Sequence, residues 1–572
     1  MNSNDARVRP GCSIAVAATV LWLLTPARSA TPKFFPDDPI QIDNDTGLDA
    51  SKVMTIEDSN YYDFVANTFL TPGERNDSPA LNVNTIDEVP DSSWFANRIG
   101  RSLPSMEEFV RGPDTLETVS IDERWTIVQG KSAGVQPGFR MADASGALYQ
   151  IEFDPPSNPE MATAAEMVGT VIYHALGYNV VDVYLTEIDA QKLRIAPTAT
   201  IRDPRTGERR RFTRSDLFDV LDNAARAENG AYRVLASRFA DGRQVGSFRY
   251  QGTRPDDPND IFPHEHRREL RGNRVFASWL NHDDSRGLNS LDMLVGTDRK
   301  YIKHYMFDFG SIMGSGTVRA QTPRAGNEYI LDWKAGFLTM ATFGLYVRPW
   351  LRIDYPDVPR SVGNFEADSF DPDSWKPEYP NPAFRNLQPE DGFWAARLVA
   401  KFTDDMIRAA VRKGRYRDPA AADYLVQTLI KRRDKVVTAW LNRVNPVVEP
   451  RLSASGVLTF RNAAVDAGVA TPAANYGLSW SRFDNASGTH TWVADTSLTE
   501  TTGEAPKDVL QGTEFVAVLI RGVHPQQPRW LRPARVYFRR DGGGWKTVGI
   551  ERAVYREQEQ LGLAPMSPTR RY

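Results

Sequence analysis

Two short polar motifs, close together in the chain, constrain its structure most. The first covers residues 282–289 and has the form His282-x-Asp284-x-x-x-x-Asn289. The second, Asp308-Phe309-Gly310, begins nineteen residues after Asn289. At average residue frequencies either motif occurs by chance in roughly one chain of this length in fifteen. The two motifs in order, at this spacing, are far rarer.

The sequence around the motifs predicts a helix, a loop and a hairpin. A helix that starts at residue 264 has Leu270, Phe276 and Trp279 at buried positions. Residues 291–295 and 301–307 are typical of two strands joined by a polar turn. A polar loop, a hairpin and then Asp-Phe-Gly is the order found in protein kinases.

Residues 122–154 predict a small antiparallel meander with strands at 125–128, 139–142 and 148–153. Its first turn contains Gly130, Lys131, Gly134 and Gly138. Glycines let a backbone approach a phosphate closely, and free N–H groups can surround the anion. An ordinary glycine hairpin explains the same residues. The turn is not a P-loop, because the earlier glycine of that motif is missing.

The segment after the meander predicts a helix and a fourth strand. Residues 159–177 have helical periodicity, carry Glu166 and end at Gly177. Residues 180–186 read as a strand, and residues 201–260 are polar and irregular, which indicates an insertion.

At these positions the chain resembles the protein-kinase-like superfamily, and most of all its atypical branches, the HipA-type, phosphatidylinositol-kinase-like and CotH-like kinases. The resemblance covers about residues 122–445. It implies a two-lobed core with ATP in the cleft. The residues that would surround the nucleotide are Gly130, Lys131, Gly134, Gly138, Arg140, Glu152 and Glu166. No Ala-Pro-Glu follows Asp-Phe-Gly, so a eukaryotic activation segment is not implied.

The resemblance also implies a chemical role for each motif residue. Asp284 would take the proton of an acceptor hydroxyl, while Asn289 and Asp308 would bind Mg²⁺ (or Mn²⁺). His282 belongs to the same catalytic set, where it is expected to brace the loop. The alternative is that Asp284 and Asn289 cap a turn and Asp308 lies in a loop beside the core.

One position departs from the family pattern. The third strand of the small lobe should carry a lysine for the nucleotide phosphates, but Glu152 occupies that position. Lys131 or Arg140 could replace the lysine. If Glu152 faces the cleft, Gln150 shares its side of the strand. Without a substitute cation the chain is a pseudokinase, a non-catalytic binding or scaffold protein.

The N-terminus predicts export. Arg7 and Arg9 precede an apolar run at residues 14–24, and small residues follow near residue 30. This order is typical of a cleaved signal peptide and indicates a periplasmic or secreted protein. An uncleaved anchor is the alternative, although the run is about half the ~20 residues that span a bilayer. The only cysteine, Cys12, lies in this segment.

Chain length and net charge limit the number of domains and the class of partner. The chain has 572 residues, which favours two or three domains, and its net charge of −4 argues against a nucleic-acid binder. No segment of the mature chain is apolar and long enough to span a membrane. The predicted partners are therefore a nucleotide and an acceptor that is a protein, a glycan or a small molecule.

The complete pattern predicts an α+β protein with a kinase-like core and a C-terminal antiparallel β-sandwich-like domain. Residues 393–411 and 418–442 predict two helices of the large lobe. Arg254, His264, His266, Arg267 and Arg268 could bind a phosphate or an anionic substrate, and a solvated basic helix start is the simpler explanation. The predicted segments are a signal peptide (1–29), an extended arm with buried aromatics (30–121), a small lobe (122–200), an insertion (201–262), a large lobe (263–445), a β domain (450–555) and a flexible tail (556–572).

Overall fold

The computed structural model describes residues 31–131, 134–203 and 206–552. The predicted signal peptide and the whole of the predicted tail lie outside these residues. Within the described ranges, no helix has the length and apolar character needed to cross a membrane. The protein is a mixed α+β structure with four sheets, in which antiparallel pairing predominates.

The N-terminal arm contains two short helices, α1 (Asn60–Val65) and α2 (Met106–Arg111), with a π-helical turn at Ala66–Leu70. Trp94 and Phe95 are buried in the main core, where Trp94 stacks on His304 with ring centroids 3.5 Å apart. The prediction that the arm packs through its aromatics is confirmed for these two residues. It is wrong for Tyr61, which is exposed.

A seven-stranded sheet follows the arm. Its strand order is β4-β7-β3-β2-β1-β5-β6, and every pair is antiparallel except β1 with β5. The strands are β1 (Thr126–Gly130), β2 (Gly138–Ala142), β3 (Leu148–Phe153), β4 (Val183–Ile188), β5 (Arg194–Arg202), β6 (Arg209–Arg211) and β7 (Tyr232–Arg238).

Helix α3 (Met161–Leu176) lies against one face of this sheet. Met167 of α3 packs with Leu185 and Leu235 of the sheet. Asp154 accepts hydrogen bonds from the N–H groups of Ala162 and Thr163 and so caps the start of the helix. The predicted helix and its end at Gly177 are confirmed.

Residues 201–262 are not an irregular insertion, so that prediction was wrong. They supply β6, helix α4 (Arg214–Asp222), β7 and β8 (Arg243–Gly246). Strand β7 lies inside the sheet between β3 and β4. Tyr232, Val234 and Ala236 enter one hydrophobic core, and Leu235 faces α3 from the other side of the strand. Arginines at positions 233 and 238 obscure this strand pattern in the sequence.

The motif-bearing region begins with helix α5 (Arg268–Leu280) and continues with the hairpin β9 (Ser290–Val295) and β10 (Tyr301–Met306). Strand β8 completes this three-stranded sheet beside β9. The predicted helix, loop and hairpin are confirmed. The 3₁₀ turn His264–His266 precedes α5 and is not part of the helix.

Five further helices complete this region: α6 (Trp333–Ala341), α7 (Pro382–Arg385), α8 (Pro389–Val399), α9 (Asp404–Lys413) and α10 (Pro419–Leu441). The single helix predicted over 393–411 is wrong, because α8 ends before Thr403. The Thr403 side chain accepts a hydrogen bond from Met406 N–H and starts α9. The helix predicted over 418–442 is confirmed as α10, and the Asp418 side chain caps it by accepting a hydrogen bond from Ala420 N–H.

The C-terminal strands form two antiparallel sheets, as the period-two pattern predicted. Their orders are β11-β12-β15 and β14-β13-β16-β17-β18. The elements are β11 (Val447–Leu452), β12 (Val457–Asn462), α11 (Ala463–Asp466), β13 (Asn475–Phe483), β14 (His490–Leu498), β15 (Thr502–Glu504), α12 (Lys507–Leu510), β16 (Phe515–Val523), β17 (Ala534–Asp541) and β18 (Gly544–Glu551). These strands share one hydrophobic core with α5, α8 and α10.

The basic residues before α5 are buried, so the prediction of a solvated helix start was wrong. Their side chains pair with carboxylates, which offsets the cost of removing charge from water. We call Arg254, His264, Arg267, Arg268 and Arg271 with their acidic partners the arginine cluster. The pairs include Arg254–Asp292 (3.1 Å), His264–Asp260 (2.7 Å), Arg267–Asp260 (3.3 Å), Arg267–Glu269 (3.6 Å), Arg268–Asp391 (3.0 Å) and Arg271–Asp391 (3.4 Å).

Candidate functional site

The candidate site is built on the loop that follows α5. Asn281 ends the helix in the left-handed conformation, with φ 52°. His282 N–H donates to Ala277 O at 2.8 Å, and the loop closes with the 3₁₀ turn Gly287–Asn289 before β9. The sharp turn at Asn281 directs the chain away from the helix and into the first motif.

His282 lies in the interior beneath this loop. Its ring packs against Tyr173 of α3 and against Phe309, with centroids 6.1 and 5.7 Å away. Neither ring nitrogen has a hydrogen-bond partner, and burial lowers the pKa of His282 to about 3. A neutral, enclosed imidazole supports the loop by packing and is poorly placed for proton transfer.

Asp284 is partly exposed and pairs with Arg286, whose Nε lies 2.8 Å from Asp284 Oδ1. Burial raises the pKa of Asp284 to about 7 against the lowering effect of Arg286, and Asp308 and Glu378 raise it further. Arg286 also lies 3.6 Å from Glu378. Asp284 is therefore a carboxylate whose proton affinity suits a base near neutral pH.

Asn289 connects the two motifs. Its Nδ2 donates to Asp284 O at 2.8 Å, and its own carbonyl oxygen accepts from Phe307 N–H at 3.3 Å. The second contact holds the end of β10 beside the loop, one residue before Asp308. Because Nδ2 is engaged, Oδ1 is the atom through which Asn289 would bind a metal.

Asp308 adopts the left-handed conformation, with φ 66° and ψ 58°. This conformation is uncommon outside glycine and marks a position held by its surroundings. The side chain is exposed to solvent. The protein around it and the charge of Glu152 nevertheless raise the pKa of Asp308 to about 6, against the lowering effects of Lys131 and Arg286.

Glu166 of α3 reaches the Asp-Phe-Gly segment from the other side. Its buried carboxylate accepts hydrogen bonds from the backbone of Gly310 and Phe309. Burial raises the pKa of Glu166 well above its ordinary value, and the charges of Asp308 and Glu152 add to the rise. Phe309 stacks on Tyr173 with centroids 4.4 Å apart, which fixes the segment against α3.

Lys131 and Glu152 form an ion pair, with Nζ 2.5 Å from Oε1 and both side chains about four-fifths buried. Gln150 and Glu152 alternate with the buried Tyr149, Ile151 and Phe153, as predicted for a polar face. Of the two nearby cations, Lys131 and Arg140, it is Lys131 that pairs with Glu152. Both side chains influence the pKa of Asp308.

The other residues of the predicted glycine turn have different surroundings. A Cβ at Gly138 would lie 2.3 Å from Ile151 O, and one at Gly130 would lie 2.7 Å from Ile201. Strand packing alone therefore requires these two glycines. Gly134, with φ +78°, lies beside Lys131, although residues 132 and 133 are outside the described part.

Arg140 does not contact Glu152. Its guanidinium donates to Gln129 at 3.2 Å and to Gln150 at 3.4 Å, and it lies over the Phe239 ring. Among the described residues Lys131 is thus better placed than Arg140 to stand in for the missing strand lysine.

The metal ligands predicted from sequence are one amide and one carboxylate. No group of three His, Cys, Asp or Glu side chains in the described residues could hold a metal ion by itself. Asn289 and Asp308 fit a divalent cation whose remaining ligands are phosphate and water oxygens, as is usual for Mg²⁺. The excess of carboxylate charge around Asp308 is compatible with a cation there.

Sequence reasoning missed the residues that surround the motif. Arg286 lies inside the first motif and could have been considered as a partner of Asp284. The Asp283 carboxylate accepts a hydrogen bond from Gln321 Nε2 at 2.7 Å. Burial raises the pKa of Asp283 to about 8, and the charges of Asp284 and Glu378 contribute to this rise. Gln321 and Glu378 come from distant segments, and no local signal identifies them.

Two partly open pockets in the described residues lie outside the candidate site. One, of about 380 Å³, is lined by the arm, α8, α10 and β11. The other, of about 260 Å³, is lined by Arg274, Tyr329, Trp375 and Arg385 behind the loop. The chemistry of the motif residues, and not cavity size, identifies the candidate site.

No protein-family model matches the sequence, and no curated protein matches it. Among solved structures, the proinflammatory kinase CtkA of Helicobacter pylori is similar to this chain with a TM-score of 0.31 and 13% sequence identity. The match covers 57% of this chain and 98% of that chain. A likeness of this size does not define the fold or the activity of the chain.

Proposed function

We propose that this chain is a kinase-like phosphotransferase that moves a phosphoryl or nucleotidyl group from ATP to an acceptor. The observation that carries the proposal is the convergence of Asp284, Asn289 and Asp308. The Asn289–Phe307 backbone contact joins the two motifs, and it holds Asp308, the residue after Phe307, beside the loop that carries Asp284. In this proposal β1–β7 with α3 form a small lobe, and the helical part forms a large lobe.

For phosphoryl transfer, an acceptor hydroxyl oxygen attacks the γ-phosphorus of ATP. The bond from that phosphorus to the β–γ bridging oxygen breaks, and ADP leaves. The hydroxyl proton passes to the carboxylate of Asp284, which Arg286 orients. Mg²⁺ (or Mn²⁺), when held by Asn289 Oδ1 and the Asp308 carboxylate, would supply charge neutralisation at the phosphates.

In the same proposal Lys131 contacts the nucleotide phosphates. Glu152 holds the ammonium group at the edge of the site, and Glu166 fixes the backbone of Phe309 and Gly310. His282 acts as a positioning residue through its packing on Phe309.

The alternative function is a non-catalytic pseudokinase that binds a partner. Two contacts favour it: Glu152 already neutralises Lys131, and Arg286 already neutralises Asp284. In an active enzyme these pairs would loosen when nucleotide and metal bind.

Transfer of a radiolabelled γ-phosphate tests the proposal. The parent protein is incubated with γ-labelled ATP, or in a parallel arm with α-labelled ATP, and either Mg²⁺, Mn²⁺ or a chelator. Labelled protein, labelled added acceptors, and released ADP and pyrophosphate are measured, so that phosphoryl and nucleotidyl transfer are both detected. Metal-dependent transfer or ADP release is expected. Binding of ATP without any turnover under all metal conditions would favour the pseudokinase function.

We also propose that the protein acts after export, in the periplasm or outside the cell, on the basis of the residue order in positions 7–30. N-terminal sequencing of the protein from its native host is expected to begin near residue 30. An intact Met1 species in the cytosol would contradict export.

A further inference from the structure

The five-stranded sheet of the β domain has two apolar faces. Val516 and Val518 of β16 point into the main core, while Phe515 and Ala517 alternate with them and point to the opposite side. In the described part of the chain, Phe34 is the only residue from outside the β domain that joins the apolar cluster on this opposite side. We call that cluster the aromatic socket, and it consists of Phe483, Phe515, Ala517, Tyr537 and Val548.

Phe34, near the start of the N-terminal arm, fills the aromatic socket. Its ring centroid lies 6.0 Å from that of Phe515 and 5.0 Å from that of Tyr537. A Cβ at Gly549 would lie 2.6 Å from Phe34 Cζ, so the ring fits because position 549 is a glycine. Phe34 is 4% exposed, whereas the neighbouring Phe35 is 49% exposed. The socket therefore selects one of two adjacent phenylalanines.

Asn485 of the β domain binds the main chain at the same position. Its Oδ1 accepts a hydrogen bond from Phe34 N–H, and its Nδ2 donates one to Phe34 O, both at 2.8 Å. The main-chain oxygen of Asn485 accepts from Lys33 N–H at 3.1 Å. The Lys33 ammonium pairs with the Glu551 carboxylate. These contacts match a basic residue that is followed by phenylalanine.

Two cations of the β domain bind the main chain after Phe34. Arg539 donates to Phe35 O at 2.7 Å and to Pro36 O at 2.8 Å. Lys546 donates to Asp38 O at 2.9 Å. The side chains at positions 35–37 are exposed, so they contribute little to selection. Main-chain hydrogen bonds combined with a side-chain pocket are also the means by which many domains bind short peptides.

Residues 33–38 form a short segment on the surface of the sheet. Phe34 is its only apolar side chain within the socket cluster. Surface segments with few buried apolar contacts open locally at a free energy well below that of global unfolding. The sheet beneath packs into the main core through its other face, so the socket keeps its support when the segment leaves.

We infer that the aromatic socket, with Asn485, Arg539 and Glu551 around it, is a peptide-recognition site. Residues 33–38 occupy it within the chain, and a partner protein that presents a basic residue followed by phenylalanine displaces them. The contacts define this chemistry: a cation for Glu551, an aromatic ring for the socket, and main-chain groups for Asn485 and Arg539. The inference does not depend on catalysis at Asp284.

Fluorescence anisotropy with the full chain tests the inference. The probe is a labelled synthetic peptide with the sequence of residues 31–40. The Phe34→Ala chain lacks the internal anchor and should bind the probe about tenfold or more tightly than the parent, in which the internal segment competes at a high effective concentration. Adding Asn485→Ala to Phe34→Ala removes two hydrogen bonds and should weaken binding by about tenfold or more.

Phe35→Ala is the matched control. A chain with this substitution should bind the probe as weakly as the parent, because the exposed Phe35 ring is not the anchor. A probe with Phe35→Ala should bind the Phe34→Ala chain like the original probe. A probe with Phe34→Ala should bind about tenfold or more weakly, because it lacks the anchoring ring. Circular dichroism checks that each variant is folded.

Hydrogen exchange in the parent is a second measurement, and it requires no substitution. A large excess of unlabelled peptide should accelerate exchange of the Lys33 and Phe34 amides, which donate to Asn485 in the occupied site.

Three results would overturn the inference: no binding of the probe by a folded Phe34→Ala chain, equal binding of the original and Phe34→Ala probes, or unchanged exchange in the parent with excess peptide. Analytical ultracentrifugation distinguishes a different occupant. A parent dimer that Phe34→Ala dissociates would overturn the assignment to a partner protein and identify a second copy of the chain instead.

Discussion

The arginine cluster and the candidate site are both rich in charge, but they balance it differently. In the arginine cluster each cation has a carboxylate partner, as in the Arg254–Asp292 and Arg268–Asp391 pairs. In the candidate site the carboxylates of Glu152, Glu166, Asp283, Asp284, Asp308 and Glu378 outnumber the cations Lys131, Arg286 and Arg324.

The pKa values follow the same division. In the arginine cluster, pairing with His264 lowers the pKa of Asp260, and pairing with His304 lowers the pKa of Asp292. Burial opposes both shifts but does not reverse them. Glu269 departs from this pattern, because burial raises its pKa. In the candidate site, the surrounding protein and neighbouring carboxylates raise the pKa of Asp283, Asp284 and Asp308. Balanced charge indicates a structural role, and unbalanced charge indicates a site for a cation or a proton.

The largest expected effect is on catalysis at Asp284. Asp284→Asn should lower phosphoryl transfer by about 10²–10⁴-fold, because the amide cannot accept the acceptor proton. Nucleotide affinity should change little. Single-turnover transfer measures the first quantity and calorimetry the second. If the variant transfers phosphoryl groups at the parent rate, Asp284 is not the base.

The corresponding change in the arginine cluster should act on stability. Arg268→Met leaves Asp391 without one of its buried partners and should lower the free energy of unfolding by about 3–5 kcal/mol. Lys431→Met breaks an exposed pair with Asp368 and should cost less than about 1 kcal/mol. Denaturant titration measures both. Equal losses in the two variants would contradict the structural role of the arginine cluster.

A smaller effect is expected at Lys131. Lys131→Ala removes a charged contact to phosphate worth about 1.5–3 kcal/mol and should weaken nucleotide binding by about tenfold or more. Glu152→Gln should change affinity less, because it frees Lys131. Arg140→Ala is the control, since Arg140 contacts Gln129 and Gln150. Parent-like affinity in Lys131→Ala would mean that Lys131 does not replace the missing lysine.

The smallest effect is expected at His282. His282→Phe preserves a ring that packs on Phe309 and loses no hydrogen bond, because neither imidazole nitrogen has a partner. Transfer should fall by less than about tenfold, well short of the loss expected when a general acid or base is removed. A loss as large as that of Asp284→Asn would show that His282 takes part in proton transfer.

Local patterns predicted the parts of the fold that depend on local sequence. Strand β3 has the predicted bounds, and α3, α10 and the β9–β10 hairpin were predicted within a few residues. Strand β7 was missed because its partners β3 and β4 are far away in sequence and arginines flank its short apolar pattern. The separation of α8 from α9 was missed, although Thr403 followed by two aspartates is a helix-start signal.

Local sequence patterns likewise predicted only part of the candidate site. Asp284, Asn289 and Asp308 could be found because two short motifs contain them, and strand alternation predicted that Glu152 shares a face of β3 with Gln150. The electrostatic setting could not be predicted in this way. Glu378 and Gln321 reach the loop by tertiary contacts, and Glu166 is buried against Gly310 only because α3 packs on that segment.

Calorimetric titration of the parent and of Asp308→Ala with a non-hydrolysable ATP analogue, with Mg²⁺ and with a chelator, tests the central claim most directly. If Asn289 and Asp308 bind the metal that accompanies the nucleotide, the parent should bind the analogue at least about tenfold more tightly with Mg²⁺. Asp308→Ala should lose this dependence and remain folded. Equal affinity of the parent with and without Mg²⁺, or no binding at all, would contradict the account.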